Sequence, residues 1–206
     1  MRRTRAGLKA LACGVLVALT LLVAQPAVAA DAGAAMSHVQ RLLAEGQRVA
    51  GSGDREAALG RLLDRDFDVE LIARTALGPA YGRMSDAERN EYLALFREHV
   101  ILSVVRQVVL TPIQDVVIIE ARDLPGPDSL IGTRVVDGQG RVRLANWRVR
   151  DQGGRPKIVD VVVDGVSLAT TRADELRSVL QRNSGQVPAL LAALRAQNAQ
   201  MRQSPR

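Results

Sequence analysis

Between residues 116 and 163, four β-branched runs are joined by links with no room for a helix, and nothing else in the chain constrains its fold as much. The runs are 116–119, 131–136, 142–149 and 158–163. Their breaks contain Pro125-Gly126-Pro127-Asp128, Asp137-Gly138-Gln139-Gly140 and Asp151-Gln152-Gly153-Gly154. A parallel pair needs a crossover, usually helical, whereas turn chemistry of this kind makes hairpins. The sequence therefore predicts a four-stranded antiparallel meander. In the third run the apolar phase shifts from Val142 and Leu144 to Trp147 and Val149, which predicts a bulge near Ala145-Asn146 and a bent sheet.

The residues before the meander keep a helical period. Met36, Val39, Leu42, Leu43 and Val49 recur at helical spacing up to Gly51-Ser52-Gly53. Helices are predicted over 54–63 and 68–77, the second with Asp68 as N-cap and Gly78-Pro79 as its stop. Ser85-Asp86-Ala87-Glu88 is a capping box opening the longest helix, which runs to Leu110 before Thr111-Pro112. Its second half is apolar almost all round, a pattern expected of a helix buried on more than one side. After the meander, helices are predicted over 171–182 and 188–197. Helices, a bent sheet and closing helices make an α+β single domain.

The first thirty residues read as an address. Arg2, Arg3, Arg5 and Lys9 precede an apolar run over 11–24, and Pro26 precedes Ala27-Val28-Ala29, a small-x-small cleavage pattern. This is the layout of a secretory signal peptide over 1–30, cleaved after Ala29 or Ala30, and it leaves one domain over 31–206. The run is shorter than the roughly 20 apolar residues of a spanning helix. Four of the 28 basic residues lie in this segment; its removal leaves 24 against 22 acidic ones and lowers the net charge from +6 to +2. Nucleic-acid binding, which needs clustered positive charge, loses its support. The one cysteine, Cys13, leaves with the same segment, in keeping with an oxidising compartment.

Catalytic and metal chemistry finds little to work with. Two histidines and one cysteine leave almost nothing for a metal or haem site, so neither metal nor cofactor is expected. His38, among polar neighbours, reads as a solvated surface residue, and His99 as a core-edge residue bonded to backbone or solvent. Asp160 and Asp164 share a strand face and could support acid–base work with Tyr81 or Tyr92 on a cone-shaped α+β fold of the nuclear-transport-factor type. The alternative is that both serve a strand end and a turn, with no catalytic residue in the chain. The unspent feature is aliphatic surface, on the long helix and on both faces of the 158–163 strand. It is either plain core or the lining of a cavity open to one hydrophobic ligand.

Three segments in register resemble the MlaC family, the periplasmic phospholipid carriers also called toluene-tolerance or auxiliary transport proteins. The first is Asp66-Phe67-Asp68 through Ile72-Ala73-Arg74, Leu77-Gly78 and Tyr81. The second is Ser85-Asp86-Ala87-Glu88-Arg89 leading to Phe96-Arg97-Glu98. The third is Trp147-Arg148-Val149 followed by Asp160 to Leu168, with the acidic-Gly-Val-Ser stretch Asp164-Gly165-Val166-Ser167 at a strand end. The resemblance spans about residues 36 to 200. The chain departs from the family pattern at Val104-Val105-Arg106-Gln107-Val108-Val109 and at Gly82, where relatives often carry aromatic residues.

The resemblance implies an apolar cavity between a bent sheet and helices that shields acyl chains while lipid moves between membranes. The implied partners are phospholipid, an outer-membrane lipoprotein complex and an inner-membrane ABC transporter assembly. Relatives associated with hopanoids or exported solvents leave a different hydrophobic cargo as an alternative, and a pure adaptor with a filled core is a third reading. The expected lining is Leu71, Tyr81, Phe96, Val100, Val104, Val108, Ile118, Val135, Trp147, Val149, Val162 and Leu180.

Overall fold

The computed structural model describes residues 30–203, so residues 1–29 of the expected leader lie outside the described residues. Helix α1 (Ala32–Ala50) starts where Asp31 accepts a hydrogen bond from the Ala34 amide at 2.9 Å and stops at Gly51. After α2 (Arg55–Asp66), the backbone of Phe67 lies parallel beside Ile158, and Asp68 caps α3 (Val69–Leu77) by accepting from the Leu71 amide. A single turn, α4 (Pro79–Gly82), leads into α5 (Asp86–Leu110). Both halves of the predicted capping box are present: the Glu88 amide donates to Ser85 Oγ, and the Ser85 amide donates to the Glu88 carboxylate. At 25 residues, α5 is about 37 Å long.

The meander follows as β1 (Ile113–Asp123), β2 (Asp128–Asp137), β3 (Val142–Asp151) and β4 (Pro156–Val163), hydrogen-bonded in chain order and all antiparallel. A fifth strand, β5 (Val166–Ser167), folds back on β4 and corrects the expected count of four. Asp164 (φ 50°) and Gly165 (φ 83°) make its two-residue turn, the Asp-Gly arrangement a tight hairpin favours. The bulge expected near Ala145-Asn146 is absent, since β2 and β3 pair without interruption from Asp128 to Val142. Val142 and Leu144 instead face outward, while Ala145, Trp147 and Val149 continue the inward alternation. The irregularities are elsewhere: one between Arg148 and Val149 in the β3–β4 pairing, and two along β1. Helices α6 (Leu168–Arg182) and α7 (Val187–Gln203) close the chain.

The interior has two main parts. One is helical: Ala73, Leu77, Tyr92, Phe96, Leu176 and Leu190 lead a cluster drawn from α3 to α7. The other lies between α1, α2 and one face of the sheet, with Val39, Leu42, Leu62, Ile131, Val149 and Ile158 at its centre. A small bridge of Leu63, Ile101 and Val105 joins α2 to α5, and Phe67 packs against both it and the sheet core.

Candidate functional site

Strand register sorts the sheet into faces, because directly paired residues point the same way. Ile131 pairs with Trp147 and Ala121, Thr133 with Ala145 and Ile118, and Val135 with Arg143 and Val116. These rows form the inward face, the side covered by α1. Under α1 the face is sealed: Ile131, Val149 and Ile158 are fully buried. Toward the β2–β3 turn it is open, and Val116, Ile118, Val135 and Val163 are only half-buried although they point inward.

Helix α5 has a matching division. Its first half is packed among helices, with Phe96 1% exposed and the Tyr92 hydroxyl donating to the Ala73 carbonyl at 2.9 Å. Desolvation raises the Tyr92 pKa well above the ordinary phenol value. In the second half, Ile101, Leu102 and Val105 are buried, but Val104 is 40% and Leu110 62% exposed, so the expectation that this apolar stretch is buried on several sides fails at Val104 and at the helix end. Cover comes from more than one side: Ile101 and Val105 pack against α2, His99 is bonded to Asn198 of α7, and Leu102 is also buried. The helix end is tied to the sheet's open end, where the Gly138 amide donates to the Pro112 carbonyl at 2.8 Å.

The twelve expected lining residues do not form one surface. Phe96 and Leu180 are buried in the helical core, and Tyr81 packs against it, its ring edge-on to Tyr92 at 6.2 Å. Leu71 is half-buried on α3, and Val149 is sealed beneath α1. Val162 is turned the wrong way: it pairs with Asn146, which pairs with Gly132, so it faces outward. Ile118, Val135 and Trp147 face inward, and Trp147 Nε1 donates to Thr133 Oγ1 at 3.1 Å. Val100 packs where the helical core meets the α2–α5 bridge, and Val104 is exposed on the same helix. Val108 lies on α5, its side chain outside the description. On the sheet the half-buried inward residues are Ile118 and Val135 of the expected set, with Val116 and Val163 beside them; Val104, Val109 and Leu110 are exposed on α5. The signal for Val116 and Val163 was alternation in phase with Ile131 across the strands.

The titratable candidates are engaged in structure. His38 is buried, not solvated, and its Nε2 lies 3.3 Å from the Asp66 carbonyl oxygen. Its pKa is lowered, chiefly by desolvation. His99 is also buried, but its partner is a side chain. Asn198 Nδ2 donates to the Leu95 carbonyl, which leaves Asn198 Oδ1 to accept from His99 Nδ1 at 3.0 Å. Desolvation and the Arg172 charge lower the His99 pKa. Asp160 accepts from the Val161 and Ala169 amides and the Ser167 hydroxyl. Asp164 accepts from the Leu144 amide and from Arg143. Both carboxylates thus hold the β4–β5 hairpin and the start of α6.

Within the helical core there is a recess too small for hydrocarbon. Where Phe96, His99, Leu176 and Leu194 meet, the free space is about 20 Å³, enough for about one water molecule. A wider open groove of about 720 Å³ between α5, α6 and α7 is rimmed by Arg106, Arg172, Arg182, Thr171 and Ser178. Its walls mix these groups with apolar Val179 and Met201 in about equal measure. Among the described residues no group of three or more His, Cys, Asp or Glu is placed to hold a metal ion.

A helix-framed meander with one half of its inward face left apolar and uncovered is the architecture of a binding protein. The chain belongs to the MlaC family, whose model, described as MlaC protein, matches residues 34–196. Its fold is also that of a phospholipid-binding protein from Ralstonia solanacearum, solved in complex with a phospholipid. The two superpose with a TM-score of 0.72 at 18% identity, covering 82% of this chain and 99% of that one.

Proposed function

We propose that this chain is a phospholipid carrier that works outside the cytoplasm, in the periplasm, after removal of the 1–30 signal peptide. It shields acyl chains between the open half of the sheet and the second half of α5. In this reading it carries lipid between an outer-membrane lipoprotein complex and an inner-membrane ABC transporter assembly. The observation that carries the reading is the inward-pointing, half-buried aliphatic set Val116, Ile118, Val135 and Val163, at the end of the sheet to which the end of α5, with exposed Val109 and Leu110, is tied. An apolar surface of this size, left uncovered on the inner side of a sheet, stabilises the protein only when something apolar fills it. Family membership and the phospholipid in the Ralstonia neighbour support a lipid as that occupant.

The energetics suit a carrier and require no catalytic group. Exposing hydrocarbon to water costs about 0.8 kcal/mol per CH₂, so a sixteen-carbon chain costs roughly 12 kcal/mol and two chains about twice that. That cost keeps a lipid in its membrane unless a protein lines the route with aliphatic side chains. Protein purified without detergent should release stoichiometric phospholipid on organic extraction, identified by mass spectrometry. A hopanoid or another apolar compound in its place would assign the cargo differently. Val104→Asp should abolish lipid retention while the protein is still exported and folded. A folded Val104→Asp protein that keeps its full lipid load would remove the second half of α5 from the site.

A further inference from the structure

We propose that Arg143 binds the phosphate of the carried lipid at the mouth of the open half, so that the site prefers lipids with a phosphate diester over neutral ones; this rests on the carrier reading above. Two inward rows of the open half are Val116–Val135–Arg143 and Ile118–Thr133–Ala145–Val163; beyond them, at the turn, Asp137 is buried and bonded to Arg141. Arg143 carries the only charge in them. Its row is the outer of the two, nearest the β2–β3 turn where the end of α5 is tied down. A lipid whose tails lie along this face meets its first cation at Arg143, at the depth where the headgroup must return to water.

The guanidinium is held in place and still has donors to spend. Its Nη1 donates to Asp164 Oδ2 at 2.8 Å, and that is one of five N–H donors in a planar fork. Asp164 is a fixed post: its other oxygen accepts from the Leu144 amide, its own amide donates to the Leu144 carbonyl, and its backbone is locked in the hairpin turn. Arg150, toward the sealed end, differs, giving two N–H groups to buried Asp128. Arg143 is also half-exposed, so it meets an anion without first leaving a buried partner. A guanidinium with a free edge matches the paired oxygens of a phosphate, which a neutral diacylglycerol lacks.

The test uses the delipidated mature protein, reloaded from vesicles of equal parts dioleoylphosphatidylglycerol and dioleoylglycerol, with bound lipid extracted and weighed by mass spectrometry. Wild type should enrich the phospholipid, and Arg143→Gln and Arg143→Leu should lower that enrichment by about fivefold at unchanged total load. Arg134→Gln removes an outward-facing charge 4.0 Å from Asp115 on the neighbouring strand and should behave as wild type. A folded, loaded Arg143 variant with undiminished enrichment overturns the proposal and leaves the carrier reading intact. Folded wild type that retains neither lipid overturns the carrier reading and this proposal together. Calorimetry with inorganic phosphate alone distinguishes the sources: Arg143-dependent binding of the free ion as tightly as lipid would make this an anion site and overturn its role as a headgroup site.

Discussion

The two halves of α5 share one helix and one continuous capping and hydrogen-bond ladder, but they have opposite surroundings. The first half places Tyr92 and Phe96 among α3, α6 and α7, where almost no surface is left to water. The second half is no less aliphatic and buries His99, Ile101, Leu102 and Val105, yet it leaves Val104, Val109 and Leu110 exposed. The sheet repeats the contrast: its inward face is closed under α1 at Ile131 and Ile158 and open at Val116 and Val135. Hydrophobicity alone does not separate core from site in this molecule. What separates them is whether a second element arrives to cover the apolar row.

The largest test of that contrast is Phe96→Ala against Val104→Ala in urea unfolding. Phe96→Ala should destabilise by about 3–5 kcal/mol, because it leaves a cavity in a filled core. Val104→Ala should cost no more than about 0.5 kcal/mol, as for most surface changes. Equal losses would break the comparison. Within the sheet, Ile131→Ala should cost about 2–4 kcal/mol and Val135→Ala under about 1.5 kcal/mol in protein free of lipid. Restoring lipid should raise the melting temperature of wild type more than that of Val135→Ala.

A smaller effect concerns pH and enters the filled half through His99. His99 has a pKa below its unfolded value of 6.5, so the unfolded chain binds more protons as the medium is acidified. Stability should be whole above about pH 6.5 and decline as pH falls toward the folded pKa. Arg172 opposes protonation, while Glu175 and Glu98 favour it. Thermal melts of His99→Gln should show a shallower decline than wild type just below pH 6.5, where His38 also contributes. An unchanged slope would exclude the α5–α7 junction as its source.

Much of the fold was legible because its determinants are local. Asp31, Asp68 and Ser85 begin helices through hydrogen bonds that span three residues, and link lengths alone specify the meander. β5 escaped because two residues carry no period. The site was harder to read, because facing depends on register. Val162 looks like its neighbours in an unbroken Val run, and only the shift between Arg148 and Val149 and the pairing with Asn146 fix its direction. His38 was misread as surface because its partner, Asp66, lies 28 residues away on another helix. The aliphatic excess itself was visible, but which part stays uncovered depends on how α1 and α2 stop short of the β2–β3 end.

The irregular pairing along β1 bears on the molecule's behaviour among its own copies. β1 is the rim strand, eleven residues long, and among the described residues no strand pairs with its outer edge. Left flat, such a rim invites end-to-end zippering into fibres. Two breaks in its ladder, together with Asp115, Glu120, Arg122 and Asp123, twist and charge it. Such a rim is a poor template for a strand of another copy, even with a greasy surface close by.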